Sequence, residues 1–265
     1  MYFEKRLLSN RSKLTYRLLA TPLLVGLATP AVFAQHADED HGHLDISPTV
    51  AGGKIVSNGW SDLETEFEPG ERVFGFELGE GTAGINDGNG GFVNDPGINA
   101  RAEEGWLQGT HGIPGLRITG PLMKWIDEDN GYELADSDTI LTFQFGNFTD
   151  PSTYREATSA TGVLADLFLS STHAHYNVSI GDTSGNRLDL TTDPMVGIYQ
   201  VEAQIVSNSG TLEASDSIFL NFNYWDDEEE HGHALEYTET VLVPEPASAL
   251  VLLAGAGLLG LRRRR

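Results

Sequence analysis

Seven of the eight histidines in this 265-residue chain lie in or beside three His-x-His pairs. The pairs are His41 and His43, His173 and His175, and His231 and His233. In a β-strand, residues i and i+2 point to the same face and lie about 7 Å apart along the strand. Two imidazoles at that spacing can bind one metal ion, because Zn–N bonds are about 2.0–2.1 Å long. The histidine pattern therefore predicts a transition-metal site, with zinc as the first candidate.

Carboxylates accompany the first and third pairs. Asp45 follows His43 by two residues, so the first pair and this carboxylate would share one face of a strand. The third pair follows the acidic run 226–230, whose carboxylates could act as ligands or as hydrogen-bond partners of the imidazoles. Both pairs could also lie in exposed acidic segments that bind nothing.

The second pair carries the main prediction, because apolar residues flank it on both sides, as expected for a strand. We expect His173 and His175 to bind the ion. Their expected partners are His43 and Asp45, provided that the N-terminal strand packs beside them. The remaining paired histidines are candidates for a second, looser site: His41, His231 and His233.

Calcium is a second candidate ion. The acidic segments 127–131 and 136–138 could bind it, but neither has the spacing of an EF-hand loop, and solvated turns are the simpler interpretation. The chain contains no cysteine, which excludes thiolate nucleophiles, cysteine zinc sites and iron–sulfur clusters. It also contains no Gly-x-Ser-x-Gly motif. The sequence predicts no catalytic residues and no organic cofactor, so we expect a protein that is not an enzyme.

The N-terminus has the pattern of a signal peptide. Five basic side chains lie within the first 17 residues, and the segment 18–33 is mostly apolar. Val32 and Ala34 supply the small residues that signal peptidase requires, so cleavage is predicted after Ala34. Residues 1–34 are therefore left out of the fold prediction.

The C-terminus combines three features in a fixed order. Pro244-Glu245-Pro246 is followed by an apolar run at 247–261 and by four arginines at 262–265. A run of 15 residues is short for a stable membrane span, which needs about 20, and the arginines favour a cytoplasmic end. This combination resembles the PEP-CTERM sorting signal of Gram-negative bacteria. The resemblance implies that 243–265 is a sorting signal whose apolar run 247–261 is a transient transmembrane helix in the inner membrane. It also implies that an exosortase removes this signal on the way to the cell surface or the extracellular matrix.

Residues 35–242 remain for the folded domain. They contain seven basic and 37 acidic residues, a net charge of about −30, so we expect no nucleic-acid partner. Alternating residues predict strands at 139–145, 196–206 and 217–224.

We expect an all-β fold built as a single antiparallel β-sandwich, either immunoglobulin-like or jelly-roll. The glycine-rich segment 79–121 is predicted to be an irregular insert. The segments 100–108 and 121–126 are short helix candidates, and no stretch of the mature chain shows a convincing helical period of twelve or more residues.

A second resemblance rests on three short motifs: Gly42-His43-Leu44-Asp45, His173-Ala174-His175-Tyr176-Asn177 and Gly197-Ile198-Tyr199. They are similar to the G-H-x-D, H-x-H-[YF]-N and G-x-Y motifs of bacterial surface proteins. Those proteins include transporter-associated surface domains and PEP-CTERM proteins linked to zinc limitation. The resemblance implies a zinc-related binding role and implies no reaction.

These patterns together predict an exported protein that binds a divalent transition metal through its His-x-His pairs. Besides signal peptidase and exosortase, a zinc transporter or an exopolysaccharide is the expected partner. Two alternatives remain open. The first is an exopolysaccharide-associated matrix or adhesion protein without metal. The second is a zinc-dependent hydrolase, in which water completes a site of three protein ligands.

The processing hypothesis predicts two cuts, one after Ala34 and one near Pro244 to Pro246. Mass spectrometry of the protein from the surface fraction of its native host should find neither the signal peptide nor the arginine tail. An intact Arg265 in that mature fraction would contradict the interpretation of the C-terminus as a sorting signal.

Overall fold

The computed structural model describes residues 44–61, 66–78, 92–93, 96–145, 153–182, 196–224 and 227–243. Strands dominate these residues, so the predicted all-β class is confirmed. In chain order the strands are β1 Leu44–Ile46, β2 Thr49–Ala51, β3 Lys54–Val56, β4 Asn58–Ser61, β5 Glu66–Pro69, β6 Val73–Leu78, β7 Phe92–Val93, β8 Gly97–Asn99, β9 Pro114–Ile118, β10 Met123–Asp127, β11 Gly131–Leu134, β12 Thr139–Gln144, β13 Tyr154–Ala157, β14 Leu167–Phe168, β15 His173–His175, β16 Asn177–Asp182, β17 Gly197–Ser207 and β18 Ile218–Tyr224.

The main sheet contains β11, β10, β17, β18 and β6 in that order, and β9 and β14 extend it beside β17. Strand β17 is the alternating run predicted at 196–206. Val201, Ala203 and Ile205 are fully buried on its core face, while Glu202 and Gln204 point the other way. This two-residue period is the reason the segment forms a strand.

A second sheet, with the order β13, β12, β16 and β7, shares its hydrophobic core with the main sheet. Phe143 of β12 packs edge-on against Phe222 of β18, with ring centroids 5.7 Å apart. Phe76 of β6 stacks on the same ring at 5.2 Å. All three phenylalanines are at most 5% exposed, and burial of each contributes about 1.5–3 kcal/mol.

A third sheet, here called the site sheet, has the order β15, β8, β1, β4 and β5. Ile46 of β1 and Ile98 of β8 are fully buried and join the core. These two strands run parallel, as do β6 and β18 of the main sheet. The expectation of a purely antiparallel arrangement is therefore wrong at both pairs. The remaining strands, β2 and β3, form a small antiparallel pair.

Within the predicted irregular insert 79–121, the described residues 92–93 and 96–121 contain regular strands. Strand β8 pairs in the site sheet, and β9 pairs with β17 in the main sheet. The helix candidate 100–108 forms only a 3-10 turn at Ala102–Glu104, and the short helix α1 spans Gln108–His111. The helix candidate 121–126 is wrong, because Met123–Asp127 forms β10 and pairs on both sides.

Helix α2 spans Glu228–Tyr237 and continues into a π-helical turn at Thr238–Leu242. The carboxylate of Asp227 caps the helix by accepting a hydrogen bond from the Glu229 N–H at 2.9 Å. The acidic residues of the first turn are favourable there, because the helix N-terminus carries a partial positive charge. Residues 227–230 of the acidic run thus cap and start a helix.

The buried face of α2 is partly polar and rests on the outer face of the main sheet. Its buried residues are His231, Ala234, Leu235 and, in the next turn, Thr238. Gln200 donates a hydrogen bond to Thr238 Oγ1 at 2.7 Å, and Tyr132 donates one to the Ala234 carbonyl at 3.2 Å. Because polar residues occupy this face, the sequence lacks a clear apolar period. The sequence therefore did not predict α2, which has ten residues, or the π-helical turn that follows it to Leu242.

Folded structure continues to the residue just before the Pro-Glu-Pro segment. Val243 is only 8% exposed and packs with Val73 and Leu235. Its N–H donates a hydrogen bond to the Thr238 carbonyl at 2.9 Å. The predicted signal peptide and the apolar run 247–261 lie outside the described residues, within which no helix has the length and apolarity to cross a membrane.

Glu239, in the π-helical turn, should make the stability of this protein pH-dependent. Burial raises its pKa, and three neighbouring carboxylates add to the effect, giving a pKa of about 7. These neighbours are Glu71, Glu236 and Glu68. Because the folded state keeps a proton that the unfolded chain releases, the free energy of unfolding should fall as pH rises from about 4.5 to 7.

Glu239→Gln removes this titration. We expect the variant to be more stable than the parent at pH 8 but not at pH 4, measured by chemical denaturation. Glu133→Gln, at an exposed strand position, is the matched control and should not show this pH-dependent gain. An equal difference for Glu239→Gln at both pH values would argue against a protonated Glu239 in the folded state.

Candidate metal centre

Strand β15 places His173 and His175 on one face, as the sequence predicted. The alternate residues Ala174 and Tyr176 pack into the core, so the two imidazoles face away from it. Their ring centroids are 5.5 Å apart, and the rings are tilted by 47°. His173 is about half exposed, whereas His175 is partly buried.

Asp45 reaches the two imidazoles from β1 across an intervening strand. Strand β8 lies between β1 and β15. Its Ile98 is opposite Ile46 of β1, and its Gly97 is opposite His175 of β15. Asp45, Gly97 and His175 therefore lie in one row across the site sheet. Two interstrand spacings separate the outer members of this row, a backbone distance of roughly 9–10 Å.

Gly97 leaves the space in which the side chains of Asp45 and His175 meet. A Cβ atom at this position would overlap the Asp45 carboxylate and lie 2.8 Å from Cε1 of His175. Any residue other than glycine would therefore force one of the two side chains to move. Sequence reasoning missed this role, because a single glycine in a glycine-rich segment carries no signal of its own.

The three side chains are close enough to bind one ion. One ligand atom from each of Asp45, His173 and His175 lies within 4.8 Å of the others. His173 Nε2 lies 3.4 Å from Asp45 Oδ2, which matches the roughly 3.3 Å between ligands of a tetrahedral zinc ion with bonds of about 2.0–2.1 Å. Asp45 is only 1% exposed. A carboxylate that is buried beside imidazoles is well placed to bind a cation.

A small polar network holds β1 and β8 together next to this group. Ser47 Oγ lies 2.6 Å from Glu104 Oε2 and 3.2 Å from the Asn99 carbonyl. The Arg101 guanidinium stacks over Trp60 at 3.9 Å and lies 3.4 Å from Glu104 Oε1. Because Arg101 is paired with an acidic side chain, its charge opposes a bound cation only weakly.

The structure does not bring His231 and His233 together. Both lie on α2, where residues i and i+2 point about 200° apart around the helix axis. His231 is 2% exposed, and its Nδ1 lies 2.6 Å from Glu77 Oε1. His233 Nδ1 lies 2.9 Å from Glu128 Oε1. The arrangement does not fit a single ion shared by this pair.

The remaining histidines divide into two groups. His36, His41 and His43 lie outside the described residues, so the predicted part of His41 and His43 in either site stays a prediction. The isolated His111 accepts a hydrogen bond from the Leu107 N–H and packs on a tryptophan.

The first of the two segments considered for calcium, 127–131, forms a hydrogen-bonded turn. Asp127 Oδ1 accepts bonds from the N–H groups of Asp129 and Asn130 at 3.0 and 2.8 Å. Hydrogen bonds from Asn130 hold the pKa of Asp127 below its usual value. These bonds give the carboxylate a structural role in the turn.

Comparison with known families identifies the C-terminus. The family model described as the PEP-CTERM protein-sorting motif matches residues 242–265, one residue earlier than the predicted boundary. No curated protein and no solved structure matches the chain significantly. The motif implies export, processing by an exosortase and a location at the cell surface or outside the cell. The predicted resemblance of the tail is thus confirmed, and the chain carries a PEP-CTERM protein-sorting motif.

Proposed function

We propose that this protein binds one divalent transition metal ion, zinc, through Asp45, His173 and His175, and that it acts outside the cell as a metal-binding protein rather than as an enzyme. The observation that carries the proposal is the convergence of the three side chains over Gly97. Three elements distant in the sequence supply the site, and a bulkier residue at position 97 would block it. Such an arrangement is unlike an exposed group of acidic side chains.

The donor set supports zinc over calcium or magnesium. Two imidazole nitrogens and one carboxylate oxygen suit a borderline-soft cation, whereas calcium and magnesium prefer oxygen ligands alone. The 3.4 Å separation between His173 Nε2 and Asp45 Oδ2 also fits tetrahedral zinc. Capture or storage of zinc at the cell surface is the role that such a site would serve.

The same proposal includes a β-sandwich as the scaffold. The main sheet and the second sheet share one core, and Phe143 of one contacts Phe222 of the other. Facing sheets with interleaved apolar side chains are the defining feature of a sandwich. In this arrangement the site sheet contributes Ile46 and Ile98 to the common core and carries the ligands on its other face.

The first test is zinc binding by the mature protein, measured by isothermal titration calorimetry. We expect one tight site at neutral pH, and weaker binding below about pH 6.5, because protons compete with the metal for imidazole nitrogens. The double variant His173→Ala, His175→Ala should lose this site and keep the fold. His233→Ala is the matched control, because it removes a histidine on α2 and should retain the site.

Two outcomes would contradict the proposal. If the double variant binds zinc as the parent does, the strand pair has only a structural role. If the parent shows no stoichiometric binding, the metal hypothesis fails, and an exopolysaccharide-associated matrix protein becomes the leading interpretation.

The second test replaces Gly97, which supplies no ligand. We expect Gly97→Ala to weaken zinc binding by about 10–100-fold, the range typical of changes behind the ligands, because the added methyl group displaces the Asp45 carboxylate. Gly162→Ala is the control, since no atom lies within 4 Å of the Cβ position there. Parent-like zinc affinity in Gly97→Ala would show that the close approach of Asp45 and His175 over Gly97 is not needed for zinc binding.

A further inference from the structure

Three ligands from the described residues leave one position of a tetrahedral zinc ion to be filled. Structural zinc sites fill the fourth position with a protein side chain, whereas functional sites keep it for water or an external ligand. We propose that the fourth position of this site is open to solvent on the side of His173 and accepts a small external anion of the carboxylate class. This inference rests on the zinc site proposed above.

The exposure of the three ligands indicates where the open position lies. Asp45 is 1% exposed and approaches from the interior of the site sheet, whereas the His173 side chain is 51% exposed. Strand β15 is the first strand in the order β15, β8, β1, β4 and β5, so the ion would lie toward one end of that sheet. Among the described residues, protein atoms therefore surround the ion mainly on the Asp45 side.

The charge of the site selects the class of ligand. A divalent ion bound by two neutral imidazoles and one carboxylate keeps one net positive charge. Residues 35–242 have a net charge of about −30, so the surface of the mature protein repels anions elsewhere. A small anion should therefore bind at the metal and only when the metal is present. Carboxylate is the natural class, because zinc binds carboxylate oxygen at about 2.0–2.2 Å.

His43 is the competing fourth ligand. It precedes Asp45 by two residues and was predicted from the sequence as a partner of the strand pair. If His43 fills the fourth position, the site is closed, and external anions should not reach the metal. The variant His43→Ala separates the two arrangements.

The experiment uses the mature protein loaded with Co²⁺, whose visible absorption reports the ligands and the coordination number. Azide and acetate are added at constant ionic strength, with perchlorate as the non-coordinating control. We expect a saturable shift of the cobalt absorption bands with azide and with acetate, and none with perchlorate. The parent and His43→Ala should respond alike, and so should His233→Ala.

The opposite result is distinct from failure of the zinc site itself. Stoichiometric Co²⁺ binding by the parent without any anion-induced shift of the absorption bands would overturn the proposal of an open fourth position. A shift that appears only in His43→Ala would identify His43 as the fourth ligand. If the parent does not bind Co²⁺ or Zn²⁺ at all, the proposed function fails together with this inference.

Discussion

One buried hydroxyl group joins the main sheet, the second sheet and the site sheet. Tyr176 lies between β15 of the site sheet and β16 of the second sheet, and its side chain is fully buried. Its hydroxyl donates a hydrogen bond to the Leu167 carbonyl at 2.6 Å and accepts one from the Leu116 N–H at 3.1 Å, both in strands attached to the main sheet. Burial raises the pKa of the phenol, so the group stays a neutral donor. Because Tyr176 must face the core, His173 and His175 must face away from it.

Much of this arrangement could be predicted from the sequence, because it depends on two-residue periods. The alternating runs at 139–145, 196–206 and 217–224 correspond to β12, β17 and β18. The same period identified His173 and His175 as side chains on one face. The two-residue spacing between His43 and Asp45 also identified Asp45 as a candidate ligand. The structure places its carboxylate beside His173 and His175. Local periods of this kind can be recognised in the sequence because alternate residues of a strand point to opposite faces.

Features that depend on contacts across the chain could not be predicted. The insertion of β8 between β1 and β15 depends on strand order, which no local pattern records, and the role of Gly97 follows only from that order. Helix α2 was missed because hydrogen bonds from Gln200 and Tyr132 of the main sheet, together with apolar contacts, dock it. The spacing of His231 and His233 matches that of the strand pair. In a helix, however, a two-residue step turns the side chains to nearly opposite sides, so this spacing does not bring the two imidazoles together.

The burial of Val243 also determines how the protein is presented after sorting. The sorting motif begins at residue 242, so its first two residues belong to the folded domain. The predicted cut near Pro244 to Pro246 would leave at most a few residues beyond Val243, and these can span only about 10 Å. Any molecule attached to the new C-terminus would then be joined to the domain with almost no flexible linker. Helix α2, rather than a flexible stalk, would set the angle at which the domain faces its surroundings.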